Sequence, residues 1–330
     1  MSSQRPFRFG CQAFSADTAK EWTDLARSAE ALGYSAFHLA DHYFGPGAAV
    51  KAASHPVQNL AAVPAMMAAA AATETILIGC RVMCVDYHQP AVLAKELATI
   101  DLLSDGRLEA GFGAGWVRSE YEAMGIPMDA AGVRIDRMVE YVELARSWFR
   151  GEELDQRGEH VNVTDMQAVP AAVQAGGPRV MIGGGAPRVL RTAGRLADIV
   201  SINFDNSAGK IGAHGIGSST ASGTAQKVAW IKEGAATRFD GATFGDLEIE
   251  IAAYFTNVTD HTQPSLEAMA GAFGMEPAEL ARHPHALIGS VDQICEQLIA
   301  RRDEYSISYV TVGAANIEAF APVVARLAGT

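Results

Sequence analysis

The sequence is poor in several features, and each absence narrows what the chain can be. Its four cysteines, Cys11, Cys80, Cys84 and Cys295, show no CxxC spacing and none of the density of a disulfide-stapled scaffold, so buried reduced thiols and no structural metal are expected. No stretch is long and apolar enough to span a bilayer. The Ala-rich run 65–72 is too short and its side chains too small, and the start, MSSQRPFRFG, has no apolar h-region, so a cytoplasmic location is the expectation. No run of basic residues occurs. With 38 Asp plus Glu against 26 Lys plus Arg the net charge is −12, which makes nucleic acid and anionic membrane poor partners. Charged residues make up only 19% of the 330 positions and hydrophobic ones 49%, enough to bury a large core.

What is present is a regular alternation. Short apolar runs read as strands at 7–13, 35–40, 76–82, 107–113, 179–182, 198–203, 247–258 and 307–312. Helical patterns lie between and after them. The first is capped by Asp17 or Thr18 and closed by Gly33, and the second spans 56–72 with Pro64 either kinking it or marking its first turn. The third starts at Pro90 with an apolar stripe of Val92, Leu93, Leu97, Ile100 and Leu103, and the fourth spans 134–149. Others follow at 187–196, 225–239, 264–282, 290–302 and 316–327, with a polar excursion at 152–177. Eight such pairs without a break in composition predict an α/β fold, a single (β/α)8 TIM barrel over 1–330 with insertions at the C-terminal face of the strands. The Gly/Ser/Ala-rich stretch 206–223 reads as a lid or a disordered loop.

In such a barrel chemistry sits where strands end. That rule collects Asp41 and His42, the loop Arg81 to His88, the turn from Gly113, and the turn Gly183, Gly184, Gly185, Ala186. Gly111, Gly113 and Gly115 either admit a ligand to bare backbone or only make room for a neighbouring strand, and the spacing lacks the last glycine of the dinucleotide fingerprint. GGGAP opening a helix offers N–H groups and a favourable dipole to a phosphate, or else is a hinge. His42 beside an acid suits proton transfer near neutral pH, although HLADH also admits a His38–His42 metal pair. Arg81 at the end of an apolar strand requires an acid partner or a ligand. Trp22, Trp148 and Phe149 read as core, and Lys227, Lys232, Arg301 and Arg302 as solvated surface.

Four blocks carry a resemblance: LADHYF at 39–44, PAVLAKELATIDLLSDGRLEAGFGAGWVRSEYEAMG at 90–125, RIDRMVEYVELARSWF at 134–149 and VMIGGGAPRVLRTAGRLADIVSIN at 180–203. In this order they resemble the luciferase-like monooxygenase superfamily, and within it the branch of oxidoreductases using the deazaflavin coenzyme F420. The resemblance implies a cofactor ring across the barrel mouth, with Asp41 and His42 near its reactive face as catalytic groups and Asp41 also among the cofactor contacts. It further implies cofactor contacts from Arg81, Val82 and Cys84, main-chain contacts from Gly113 and Ala114, polar contacts from Ser119 and Glu120, and phosphate held by Gly183, Gly184, Gly185 and Ala186. A non-proline cis bond is implied near Arg81 and Val82.

The glucose-6-phosphate dehydrogenase branch has a glutamate directly after the GxG turn, where this chain has Trp116, which argues against that substrate. The activity implied is hydride transfer between F420 and a small organic substrate, with reduction of an imine or activated alkene preferred. Phe14, Tyr43, Phe44 and Trp116 near the mouth suit a flat or hydrophobic substrate. The nearest alternative replaces the carrier with FMN and makes the enzyme an oxygen-using monooxygenase. More distant readings are a metal-dependent hydrolase and a non-catalytic flavin-binding barrel. A homodimer is implied by the resemblance alone.

Overall fold

The computed structural model describes residues 5–330; positions 1–4 of the opening stretch lie outside the described residues. Eight parallel strands form a closed barrel, each followed by a helix. The strands are β1 Arg8–Gln12, β2 Ala36–Leu39, β3 Leu77–Cys80, β4 Leu108–Gly113, β5 Val180–Gly184, β6 Ile199–Ile202, β7 Glu248–Ala253 and β8 Ile307–Gly313. Neighbours in space follow chain order, β3 joins β4, and β1 closes on β8 with Arg8 opposite Tyr309 and Gln12 opposite Gly313. The outer helices are α1 Ala19–Ala31, α2 Ala62–Ala72, α3 Pro90–Leu103, α4 Ala131–Phe149, α5 Pro187–Leu196, α6 Ala221–Ala235, α7 Val291–Tyr305 and α8 Ile317–Leu327. No described helix is long and apolar enough to cross a membrane.

Local sequence explains the helix boundaries. Thr18 is the N-cap of α1, its side chain accepting from the Glu21 N–H, and Gly33 follows the helix at φ +84°. Pro64 falls in the first turn of α2, where a proline costs no helical hydrogen bond, so 56–61 stays irregular. In α3 the inward face is Leu93, Leu97 and Ile100, while Val92 and Leu103 are 54% and 63% exposed, so the expected stripe was one residue too wide on each side. Trp22, Trp148 and Phe149 are core, as read.

Three connections differ from expectation. The predicted strand 247–258 breaks at Tyr254: β7 stays in the barrel, and Phe255–Val258 leaves it to pair with Ala286–Gly289, a strand the sequence reading missed. The excursion 152–177 holds a hairpin, Glu153–Arg157 with Asn162–Gln167; lying between α4 and β5, it belongs to the N-terminal end of the barrel. The stretch 206–223 is ordered, with a short helix Ala213–Gly217 and the Ile211 N–H donating to Ala53 O. Lys227 and Arg301, read as surface, are buried. Lys227 Nζ donates to Asn203 O at 2.7 Å and Ser219 Oγ at 2.5 Å, tying that stretch to the end of β6, and burial lowers its pKa to about 8. Arg301 donates to Pro284 O and Ala286 O and so fixes the missed strand.

Part of the barrel interior is charged, next to an apolar cluster of Ala36, Met181, Ile199 and Tyr309. Near its N-terminal end Arg8 reaches Glu109 at 2.6 Å and Glu248 at 3.0 Å, and His38 Nε2 and the Tyr309 hydroxyl both meet Glu109 at 3.0 Å. Ions this buried persist only when mutually paired.

Candidate active site

At the C-terminal ends of the strands lies a cavity of about 750 Å³, the upper part of the range that holds cofactors with substrates. Strands β2 to β5 contribute residues at or just past their C-terminal ends: His42 after β2, Arg81 and Val82 after β3, Gly113 to Trp116 at the end of β4, and Gly183 to Ala186 at the end of β5. The peptide bond between Arg81 and Val82 is cis. The four stretches singled out from sequence therefore meet at one cavity, and its centre is not filled by side chains.

His42 is the polar centre of one wall. Its Nδ1 lies 2.7 Å from Glu120 Oε2, and among the described residues Nε2 has no hydrogen-bond partner. Glu120 also accepts from the Tyr43 N–H at 2.5 Å and the Tyr87 hydroxyl at 2.9 Å. Burial pushes the Glu120 carboxyl up, but the hydrogen bonds and charge of His42 and the Tyr43 N–H outweigh it, so it titrates below the usual carboxylate range. An anion fixed at Nδ1 sets the imidazole's tautomer and orientation and leaves Nε2 for the cavity. The His42 ring stacks on Phe44, 5.4 Å away and 5° from parallel.

Several expected contacts are placed elsewhere. Asp41 does not line the cavity: its side chain turns behind the wall, accepting from the Cys84 N–H at 2.9 Å and pairing with His88 Nε2 at 2.7 Å. It ties down the loop after β3 from behind the cavity wall instead of facing the cavity as expected. Ser119 donates to Ala49 O and also lies outside the cavity, and Glu120 meets the cavity through its bond to His42. Consecutive residues of a short helix, Arg118–Met124, cannot all face one way. His38 points into the barrel toward Glu109, so it forms no metal pair with His42. Tyr43 is exposed and Phe44 lies behind His42, whereas Phe14 and Trp116 do line the cavity.

Arg81 has the acid partner its position required. Its Nε sits 2.9 Å from Glu250 Oε2, and the remaining donors reach Asn203 Oδ1 at 3.1 Å, the Tyr254 hydroxyl at 3.3 Å and Gln12 Oε1 at 3.4 Å, while the side chain still lines the cavity floor. Beside it the Thr311 hydroxyl is buried and unpartnered among the described residues. Cys84 also lines the cavity, and burial pushes its thiol well up, so it stays protonated and unreactive.

The glycines are explained first by packing. A Cβ on Gly111 would overlap Cys80 O, one on Gly113 would come within 2.6 Å of Val82 Cγ2, and one on Gly185 would overlap Phe204 O. Their opposite sides remain bare, and Gly113 and Gly183 to Gly185 line the cavity. The N-terminus of α5 enters there with no side-chain cap and proline in its first turn. Arg134, for which the sequence carries no signal, lines the same cavity. It is 9% exposed, donates to Ala114 O at 3.0 Å, Gly115 O at 3.3 Å and Asp129 O at 2.5 Å, and forms no ion pair among the described residues, so it both stiffens the glycine turn and leaves positive charge at the cavity.

His55 was also missed. It lies in the irregular loop before α2, where no periodicity marks it, yet its ring centroid is 4.2 Å from that of His42 and it lines the cavity. Burial, with the neighbouring His42, lowers its pKa to about 4.

Comparison with known proteins gives the chain a family. Residues 4–281 match the sequence profile of the family described as luciferase-like monooxygenase. The chain is 30% identical over 202 residues to an uncharacterized protein of Mycobacterium tuberculosis, covering 58% of this chain and 70% of that one. It is 28% identical over 196 residues to an F420-dependent glucose-6-phosphate dehydrogenase of Microbacterium testaceum, of whose length it spans 55%. Among solved structures, the F420-dependent tetrahydromethanopterin reductase of Methanopyrus kandleri superposes with a TM-score of 0.75 at 17% identity, over 98% of this chain and 100% of that one. A long-chain alkane monooxygenase gives 0.75 at 13% identity, covering 98% and 91%. A riboflavin lyase solved with modified FMN gives 0.73 at 14%, again covering 98% and 91%. At these identities the structural likeness is one of fold.

Proposed function

The chain belongs to the luciferase-like monooxygenase family, a family of F420-dependent and flavin-dependent enzymes, and from that premise we propose that it is an F420-dependent oxidoreductase. The observation that carries the reading is the cavity itself, which joins an uncapped helix N-terminus and an arginine bonded to backbone carbonyls, with no ion pair among the described residues, to the His42–Glu120 pair and an aromatic wall.

The residues present fit such a coenzyme. Backbone bare of Cβ at Gly113 and Gly183, with Val82 between them, makes a flat shelf for a ring. The first turn of α5 and the Arg134 guanidinium favour the anionic groups of its side chain. When bound, the deazaflavin supplies or accepts the hydride. His42 holds or moves a proton at Nε2, Glu120 keeps that nitrogen aimed into the cavity, and the apolar wall of Phe14, Trp116 and Phe204 excludes water. The dehydrogenase relatives favour F420 over FMN. An imine or activated alkene remains the preferred substrate, because one hydride and one proton complete its reduction and His42, which lines the cavity, is the group to supply the proton.

The test is anaerobic turnover of reduced F420 against a panel of cyclic imines and enones. At least one class should be reduced, and His42→Gln should slow that reduction by about 10²-fold or more while coenzyme binding persists. Unchanged turnover in His42→Gln would remove the proton role, and oxygen-dependent turnover with reduced FMN alone would replace the proposal with a monooxygenase.

A further inference from the structure

The cavity contains a second imidazole with a different environment from the first. His55 Nδ1 lies 2.8 Å from the carbonyl of Pro56, which can only accept, so that nitrogen carries the hydrogen and Nε2 is left as an acceptor. Among the described residues Nε2 has no partner, and the ring lines the cavity. No carboxylate among the described residues bonds to it. Instead it is enclosed by rings: His42 at 4.2 Å, Phe44 at 5.6 Å, Phe14 at 5.7 Å and Trp116 at 6.0 Å between centroids. Burial among these groups keeps it neutral to about pH 4, so its acceptor character holds through the working range.

On the reading that this cavity is the substrate site, we propose that His55 determines specificity: it accepts a hydrogen bond from an O–H or N–H on an otherwise apolar, aromatic-sized substrate. An acceptor set in an apolar wall discriminates by the partner it lacks. A ligand of the same shape without a donor must bury Nε2 unpaired, whereas one with a donor satisfies it. Carbinols and amines qualify, while ketones and fully substituted imines do not, so of an oxidised and reduced pair the site should hold the reduced member more tightly. His42 is engaged with Glu120 and is kept for the proton, so the two histidines divide the work.

The test uses 2-naphthol and 2-methoxynaphthalene, which share a ring system and differ in the donor. Calorimetric titration of the wild-type protein should give at least about fivefold tighter binding of 2-naphthol. His55→Phe keeps an aromatic ring in place but has no acceptor, and should bring the ratio close to one with 2-methoxynaphthalene affinity little changed. His55→Gln restores an acceptor and should recover part of the preference. A wild type without preference, or a preference that survives in folded His55→Phe, overturns the proposal. A parallel titration of the same samples with F420 separates the two levels. Coenzyme binding without naphthol preference defeats only the role of His55, and naphthol preference without coenzyme binding defeats the redox reading and leaves His55 as assigned.

Discussion

At the scale of single residues the account rests on buried charges whose partners are specified. Glu120→Gln keeps the shape and a hydrogen-bond acceptor at His42 Nδ1 but removes the anion, and should lower kcat by about 10- to 100-fold with a small change in KM, read from steady-state rates. Arg81→Met strands Glu250, which is fully buried, and should cost about 3 to 5 kcal/mol in a denaturant titration; adding Glu250→Gln should recover much of it. Failure of the second change to rescue the first would mean that Arg81 stabilises through Asn203 and Tyr254 instead. The sequence marked His42 and Arg81 because a strand's end has a known place in a barrel. It could not show that Asp41, Ser119 and Glu120 stand behind the cavity lining, because the side of a loop each side chain takes is fixed by partners distant in sequence: Cys84 and His88, Ala49, and His42. His55 and Arg134 had no local signal, since one is in an irregular loop and the other reads as an ordinary polar position of a long helix.

At the scale of elements, alternation of apolar runs with helical periodicity was enough to find all eight barrel strands, because parallel strands covered on both faces must be short and apolar. Ala286–Gly289 escaped, being four residues long between His285 and the cap of α7. The glycine turns test how tightly these elements meet. In Gly185→Ala the new methyl would overlap Phe204 O, a backbone atom that cannot swing away, so the melting temperature should fall by several degrees, corresponding to about 1 to 3 kcal/mol. In Gly217→Ala nothing lies within 4 Å, and stability should stay within about 1 kcal/mol of wild type or rise. Equal effects of the two would show that the turn after β5 has slack that this packing excludes.

At the scale of the molecule, burial of neutral histidines sets the acid limit. His55 and His283 have folded pKa values lowered by burial to about 4 against an ordinary 6.5, and burial holds His285 well below 6.5. Over that window the unfolded chain binds protons that the native chain refuses, so stability falls as pH drops from 6.5 toward 4, with the loss from His55 and His283 complete below the latter value. Thermal melts at pH 7 and pH 5 should show the decline, and His283→Gln should flatten it; a melting temperature independent of pH across that window would contradict the buried, neutral state of these rings. The central claim is that the cavity at the barrel mouth is shaped for a deazaflavin, and anaerobic titration of the purified protein with F420 and, separately, with FMN tests it most directly. Saturable binding of one F420 per chain, at least about tenfold tighter than FMN, is the predicted result. Tight FMN binding with no saturable response to F420 would contradict it.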